Sequence, residues 1–520
     1  MYNYLFTEEH QLFRQGLRDF LQQEVIPHID QWEEDRRIPK ELWKKFGDMG
    51  YLGLNFPEEY GGMDADFYFS VVFLEEIARC YSGGFTITPS VQQYMASPYL
   101  LKHGSDFLKE KYLTKAIAGE WIASIAITEP GAGSDAANIQ TRAERQGDHY
   151  VVNGAKTFIT NAYYGDFLIT VVKTDPEKGP AGVSLLVIDR NAEGVSARKL
   201  KKLGWHASDT AELNFDDVKV PVENLIGEEG MGFYYLMGGL QLERLAGAIS
   251  AVAASEHALE YALQYMSERE AFGRPINKFQ VLRHRVAQLS AEIESTRAFV
   301  YHCARLHHDG EYAVKECSMA KLLATELSDK ATYQCLQFFG GYGYMEEYKI
   351  ARMFRDSRIG TIGGGTSEIM REIIAKMVID DQQYDGKSAP AAPTGNGQPK
   401  AAAAQAPTRQ TSSLTNHKNE TQMELNQVID QIKERAANAS PLGNTLKFKM
   451  GDEQVYLDGT GDANTVSTED KDADCTVEIA KDDFAALLSG DLNPMSAFMS
   501  GKIKVKGDMG VAMKLQGLLS

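Results

Sequence analysis

Residues 388–420, SAPAAPTGNGQPKAAAAQAPTRQTSSLTNHKNE, set the main constraint on how this chain folds. The stretch is rich in Ala, Pro, Gln, Ser and Thr, and Leu414 is its single large aliphatic residue. Such a composition buries too little apolar surface to offset the entropy lost on ordering, so 386–420 reads as a flexible linker. A 520-residue chain cut in this way builds separate cores: a large body before the linker and a small module, 421–520, after it. With 43% hydrophobic residues, both suit packed globular domains. The formal net charge of -18 argues against nucleic acid or an anionic membrane as the main partner and leaves anionic ligands to local basic spots.

The body changes texture twice. Residues 1–120 repeat apolar side chains at three and four, as in EEHQLFRQGLRDFLQQEVIPHI and FYFSVVFLEEIARCY, and read as a helical domain. Residues 121–230 hold short β-rich runs (EWIASIAIT, HYVVNGAKTFIT, DFLITVVKT, GVSLLVID) between Gly, Asn and Pro turns, hence a β domain. Helical periodicity returns over 231–385. The module at 421–520 reads as a small α+β unit, with a helix in ELNQVIDQIKERAA and strands in TLKFKM, EQVYLDG and CTVEIA. The expected fold class is therefore multidomain: helical domain, β domain and helical bundle, plus a C-terminal α+β module.

Five scattered cysteines without a C-x-x-C pair read as reduced thiols of a cytosolic protein. MYNYLFTEEHQLFRQ lacks the apolar core of a signal peptide, and no charge-free run reaches the ~18–20 residues of a membrane span. The C-terminal GLLS is not a Ser-Lys-Leu peroxisomal address, so a cytoplasmic location is expected.

Several short stretches carry chemistry. AITEPGAGSD (126–135) sets Thr128 at a strand end before a Gly-rich turn with Ser134, where a planar ligand could lie against backbone. KTFITNA (156–162) places Phe158 and Thr160 on one strand face, because strand side chains alternate. SEREAFGRPINKFQVLR (267–283) crowds Arg269, Arg274, Lys278 and Arg283 into an acidic chain. QFFGGYGYMEEYKIARMFRD (337–356) ends a helix in a Gly-rich loop. TIGGGTSEIM (361–370) puts Gly363, Gly364 and Gly365 before a helix, a geometry that lets backbone N–H groups approach an anion. Taken singly, each also reads as a turn, a core residue or a solvated charged face. His302, Cys303, His307 and His308 fit no tight ligand set on one helix face, and no metal is expected.

In this order and spacing, residues 1 to about 385 resemble the acyl-CoA dehydrogenase family of flavoproteins. Both family signatures are present: Ala126 to Asp135, departing only at Asn138, and the run from Gln337 through Gly340, Gly341, Gly343, Tyr344, Glu347 and Arg352 to Asp356. The resemblance implies two helical domains flanking a β domain, with FAD extended across a dimer interface in a homotetramer, a dimer of dimers. It implies that Thr128 and Ser134 touch the flavin and its ribityl chain, Thr160 the reactive N5 edge, and that Phe158 forms an aromatic wall. Arg269, Phe272 and Gln280 would hold the adenylate half, with Gln337 and Gly341 on the same cofactor; Thr366 and Glu368 fall where the family meets FAD from the last helix.

The implied reaction is α,β-desaturation of an acyl-CoA thioester, with electrons passed on to an electron-transfer flavoprotein. Many members carry the base as a Glu immediately before the Gly-Thr of the glycine stretch, where this chain has Gly364. In MGFYYLMGGLQLERLAGAISAVAAS (231–255) the only charged side chains are Glu243 and Arg244. The neighbours of Glu243 three and four away, Gly239, Leu240, Ala246 and Gly247, are small or apolar, so its carboxylate is expected to be desolvated and its pKa raised, as a general base requires. The competing reading is a solvated Glu–Arg pair on a helix surface. The isovaleryl-CoA and long-chain branches carry their base in a LERL-like context on this helix, which LQLERL matches; the backbone N–H of Gly364 would then bond the thioester oxygen, with Arg244 beside the substrate. Acyl-CoA oxidase chemistry with oxygen, or a catalytically inactive lipid-binding protein, are the alternatives.

Residues 421–520 resemble the sterol carrier protein type 2 domain, most densely in NPMSAFMSGKIKVKGDMGVAMKLQGLL (493–519). Met495, Phe498, Met499, Met509 and Met513 supply adaptable apolar side chains for a lipid tunnel, and carriage of a fatty acyl or sterol-like ligand is expected.

Overall fold

The computed structural model describes residues 5–380, 382, 443–450, 453–461, 463–480 and 483–484, and the backbone of 503–507. The chain forms two compact units, Met1–Gly397 and Gln398–Ser520.

In the first unit, helix α1 (Glu8–Glu24) starts at Thr7, whose hydroxyl accepts from the His10 backbone N–H. The His10 ring pairs in turn with Asp66, the N-cap of α2 (Phe67–Ala78), so one buried histidine ties two helix starts together. Shorter helices lead to α3 (Ser97–His103). The β segment contributes β1 (Ala123–Ala126), β2 (Arg142–Gln146), β3 (His149–Thr160), β4 (Phe167–Lys173), β5 (Val183–Asp189), β6 (Val195–Lys199) and β7 (Thr210–Pro221). They form one seven-stranded sheet in the order β1-β4-β2-β3-β7-β6, with β5 on the other side of β4. Long helices follow: α4 (Gly232–Glu268), α5 (Gln280–His308), α6 (Val314–Phe339), α7 (Lys349–Ser357) and α8 (Ser367–Val378).

Both faces of β4 are covered, which explains why Phe167 to Val172 are all buried and, Thr170 apart, apolar. Phe167 and Ile169 join Tyr99 and Leu100 of α3 and Phe233 and Leu236 of α4 in one cluster. Leu168 and Val172 face the other way, against Val152, Leu213 and Phe215. The helical segments on either side of the sheet in sequence share a core: Leu17, Leu21, Val71 and Leu74 pack with Leu245, Ile249, Val300, Ala320 and Ala324.

A buried polar junction links all three segments. Asp356 of α7 accepts from the backbone N–H of Gly83 at 2.9 Å and of Trp205 at 2.6 Å. Beside it, Glu33 accepts from Ser82 Oγ at 2.7 Å and from Ala207 N–H at 3.3 Å, while Arg352 Nη1 donates to Asp30 at 2.7 Å. Burial, and then the charge of Glu33, raise the pKa of the Asp356 carboxyl.

In the second unit, β8 (Thr445–Met450), β9 (Glu453–Asp458), β10 (Thr465–Ser467), β11 (Cys475–Ile479) and β12 (Ile503–Gly507) form a five-stranded sheet in the order β10-β9-β8-β11-β12. The β8–β11 pair is parallel and its neighbours antiparallel. Leu446, Phe448, Val455, Leu457 and Val477 are buried, and the Phe448 ring lies 4.8 Å from that of Phe484. The helix expected over 424–437, the linker and Met495, Phe498, Met499, Met509 and Met513 lie outside the described residues. Among the described residues no helix is long and apolar enough to cross a membrane.

Candidate active site

The carboxylate of Glu243 sits in α4 with only 8% of the residue exposed, so the pair with Arg244 is not a solvated one. Its Oε1 accepts from the Tyr99 hydroxyl at 3.1 Å. That hydroxyl also reaches the Leu236 carbonyl at 3.3 Å, and it occupies space that only a glycine at 239 leaves open: a Cβ there would lie 2.2 Å from the oxygen. Burial pushes the Glu243 pKa up to about 7, against the opposing pull of the Tyr99 hydrogen bond and the Arg244 charge. Tyr99 is the neighbour that sequence reasoning missed. It lies 144 residues upstream in a short helix, and nothing in its local pattern separates it from an ordinary core tyrosine.

Arg244 is also buried, with Nη1 3.3 Å from Gln241 Oε1 and 3.5 Å from Ser318 Oγ on α6. One turn along α6, Lys321 Nζ donates to the Gly365 carbonyl at 2.5 Å. Burial first, and then the Arg244 charge, lower the Lys321 pKa to about 8. One face of α6 thus meets both the Glu243–Arg244 turn and the glycine loop. Within that loop Gly364 and Gly365 have φ of 65° and 96°, in the left-handed region that favours glycine. Gly363 follows ordinary backbone, its N–H donating to Ile359 at 2.8 Å. Thr366 caps α8, its hydroxyl accepting from Ile369 N–H at 3.3 Å. Glu368 is exposed in the first turn, and its own backbone N–H, then the Thr366 hydroxyl, hold its carboxyl below the usual range. Thr366 and Glu368 line an open cleft with Glu326, Asp329, Arg358 and Ile362.

A second group forms where β1 ends beside β3. The Thr128 carbonyl accepts from Thr157 N–H at 2.8 Å. Beneath it Lys156, fully buried, donates to the Ile127 carbonyl at 2.9 Å and to Glu129 Oε1 at 2.8 Å. Glu129 also accepts from Thr141 N–H at 3.0 Å and from Gln140 N–H at 2.5 Å. Burial lowers the Lys156 pKa to about 8 despite its partner. The alternation expected along KTFIT is reset by a bulge between Lys156 and Ile159, with Phe158 at φ 63°. Lys156 and Thr157 are consecutive buried residues; Phe158 then emerges 69% exposed, with Thr160 half-buried two positions on.

A third group lies at the far ends of the long helices. Arg269 ends α4, its guanidinium 5.7 Å over the Tyr342 ring beside Gly341. Phe272 is 95% exposed at φ 52°, and Gln280, Gln337 and Gly341 are exposed. Exposed aromatic rings at both groups, with Ser134 exposed directly after the open backbone of Gly131 and Gly133 in the first of them, fit an extended, partly flat cofactor.

Comparison with known proteins accords with this geometry. Family models described as acyl-CoA dehydrogenase N-terminal, middle and C-terminal domains match residues 7–120, 124–218 and 230–379. A pig (Sus scrofa) protein named long-chain specific acyl-CoA dehydrogenase, mitochondrial, is 42% identical over 383 residues, 73% of this chain and 88% of that protein. A crystal structure of an acyl-CoA dehydrogenase from Geobacillus kaustophilus is 44% identical with a TM-score of 0.70, covering 72% of this chain and 99% of that one. A Bacillus anthracis acyl-CoA dehydrogenase complexed with FAD is 33% identical with a TM-score of 0.68, covering 72% of this chain and 69% of that one. The chain belongs to the acyl-CoA dehydrogenase family, whose members are FAD-dependent oxidoreductases. It carries a further domain at its end: residues 425–520 match the SCP-2 sterol transfer family.

Proposed function

We propose that this flavoprotein dehydrogenates long-chain or branched acyl-CoA thioesters to trans-2-enoyl-CoA, with Glu243 as general base. The observation that carries this reading is the buried carboxylate of Glu243, oriented by Tyr99 and raised to about 7, where a general base works best at neutral pH. FAD, when bound, supplies the acceptor for the β-hydride. Glu243 takes the α-proton, and the Gly364 N–H, on a loop held by Lys321, bonds the thioester oxygen as charge develops there. Arg244, bonded to Gln241 and Ser318, places a positive charge beside this site. Thr128, Ser134, Phe158 and Thr160 would receive the flavin end of the cofactor. Arg269, Phe272, Gln280, Gln337 and Gly341, with Thr366 and Glu368, would receive the rest across a dimer interface in a dimer of dimers.

In this reading the functional divisions are 1–120, 121–230, 231–385, 386–420 and 421–520, and the last binds a fatty acyl or sterol-like ligand. Electrons pass to an electron-transfer flavoprotein rather than to oxygen. A cytosolic setting is supported by five buried cysteines, none of them in a disulfide.

Anaerobic titration with acyl-CoA tests the reading. The wild-type flavin bleaches, and Glu243→Gln keeps FAD but does not bleach; near-normal bleaching of that variant refutes the base assignment. Peroxide release in air would mark an oxidase, and a wild-type protein that never bleaches an inactive lipid binder.

A further inference from the structure

A buried tyrosine hydroxyl must find a partner, and the partner here is the reacting carboxylate itself. Tyr99 is 3% exposed, and its 3.1 Å bond to Glu243 Oε1 is shorter than its 3.3 Å approach to Leu236 O. Gly239 lies four residues before Glu243, on the same face of α4, and its missing Cβ is what admits the hydroxyl. Two separate sequence choices, a tyrosine on α3 and a glycine on α4, converge on one contact.

We infer that Tyr99 is a positioning residue for proton abstraction: seated against Gly239, it holds the Glu243 carboxylate in one orientation and favours its ionised form. The inference rests on Glu243 being the base. The other groups facing this pair are few. Arg244 comes from α4 itself. Tyr312, just before α6, bonds the Met237 carbonyl at 3.3 Å and acts electrostatically on Tyr99. Lys321 of α6 faces Arg244. Burial holds the Tyr99 phenol well above its ordinary pKa, so it stays a donor throughout the range in which the carboxyl titrates. A hydroxyl that donates to a carboxylate stabilises the charged form, and the base is available at lower pH with it than without it.

The test uses the full-length, FAD-loaded protein and palmitoyl-CoA, with the rate of anaerobic flavin bleaching followed against pH. Tyr99→Phe removes one oxygen and keeps the ring. Its acid limb is expected to move upward by about one to two pH units, the worth of a hydrogen bond to a charged group, with FAD content unchanged. Gly239→Ala displaces the same hydroxyl from the other side and should move the limb in the same direction. The double variant should add little to either, because both break one contact. A limb that stays in place in Tyr99→Phe, while Glu243→Gln is silent, overturns the inference and leaves the base assignment standing. Normal bleaching by Glu243→Gln overturns the base assignment instead. If Tyr99→Phe is not recovered folded, Gly239→Ala decides alone: an unmoved limb refutes the role of Tyr99, an upward shift supports it.

Discussion

The ammonium of Lys321 donates to the carbonyl oxygen of Gly365, one residue past the amide proposed to hold the substrate. This is a long reach for a buried lysine that pays for its position with a pKa lowered to about 8. Lys321→Met keeps most of the apolar stem and removes the donor. The loop should loosen, and because a bond from a charged group is lost, acyl-CoA reduction of the flavin should slow by about tenfold or more. FAD content and absorbance of the oxidised protein should be unchanged. Stopped-flow reduction at saturating substrate checks this; wild-type rates in Lys321→Met would show that the loop needs no such support.

The raised carboxyl of Glu243 makes two pH predictions. As a base it works ionised, so bleaching rates should climb with pH through a midpoint near 7. Stability moves the other way. A carboxyl raised from 4.5 to about 7 leaves the folded state binding more protons than the unfolded one in that window, so stability falls as pH rises across it. By pH 8 the accumulated cost is up to about 3 kcal/mol. Glu243→Gln should therefore be inactive yet melt at higher temperature than wild type at pH 8, and by a smaller margin at pH 5. Scanning calorimetry at the two pH values measures it.

Lys156 and Glu129 anchor the turn that carries Thr128. Removing one partner of a buried pair strands the other, at about 3–5 kcal/mol. Lys156→Met should lower the melting temperature and lose FAD during gel filtration, whereas Arg198→Ala, which breaks an exposed pair with Glu212, should leave both within error.

Gly364 offers a stringent check on the placement of the loop. Space for a side chain is open there, but its φ of 65° costs any L-residue about 1–2 kcal/mol. Glu243→Gln combined with Gly364→Glu should regain a small fraction of wild-type bleaching, visible over hours of anaerobic incubation. No recovery at all, with FAD bound, would show that the loop does not face the reacting carbon.

The layout of the first unit was legible because period and composition change at its segment borders. Glu243 was legible because it stands with Arg244 in an otherwise uncharged stretch of its helix, 231–255, so its burial followed from its neighbours. Tyr99, Lys321 and Lys156 were not, although they support the site. Each meets its partner across a gap in sequence, Lys156 to Glu129 over 27 residues and Lys321 to Gly365 over 44. The bulge at Phe158 was invisible for a related reason: a strand's alternation says which face a residue prefers, and only pairing with β7 reveals an extra residue.

The junction at Asp356 bears on how this body comes apart. One carboxylate receives N–H groups from Gly83 and Trp205, separated from it by 273 and 151 residues, while its neighbours bind Asp30, Ser82 and Ala207. Opening any one of the three segments takes a partner from a hydrogen-bonding group in another: the helical end leaves the Gly83 and Trp205 N–H groups without Asp356, and the sheet leaves Asp356 and Glu33 without Trp205 and Ala207. The helical start, the sheet and the helical end therefore form one cooperative unit rather than three foldons in series, and a lesion in any of them is felt as a loss of the whole.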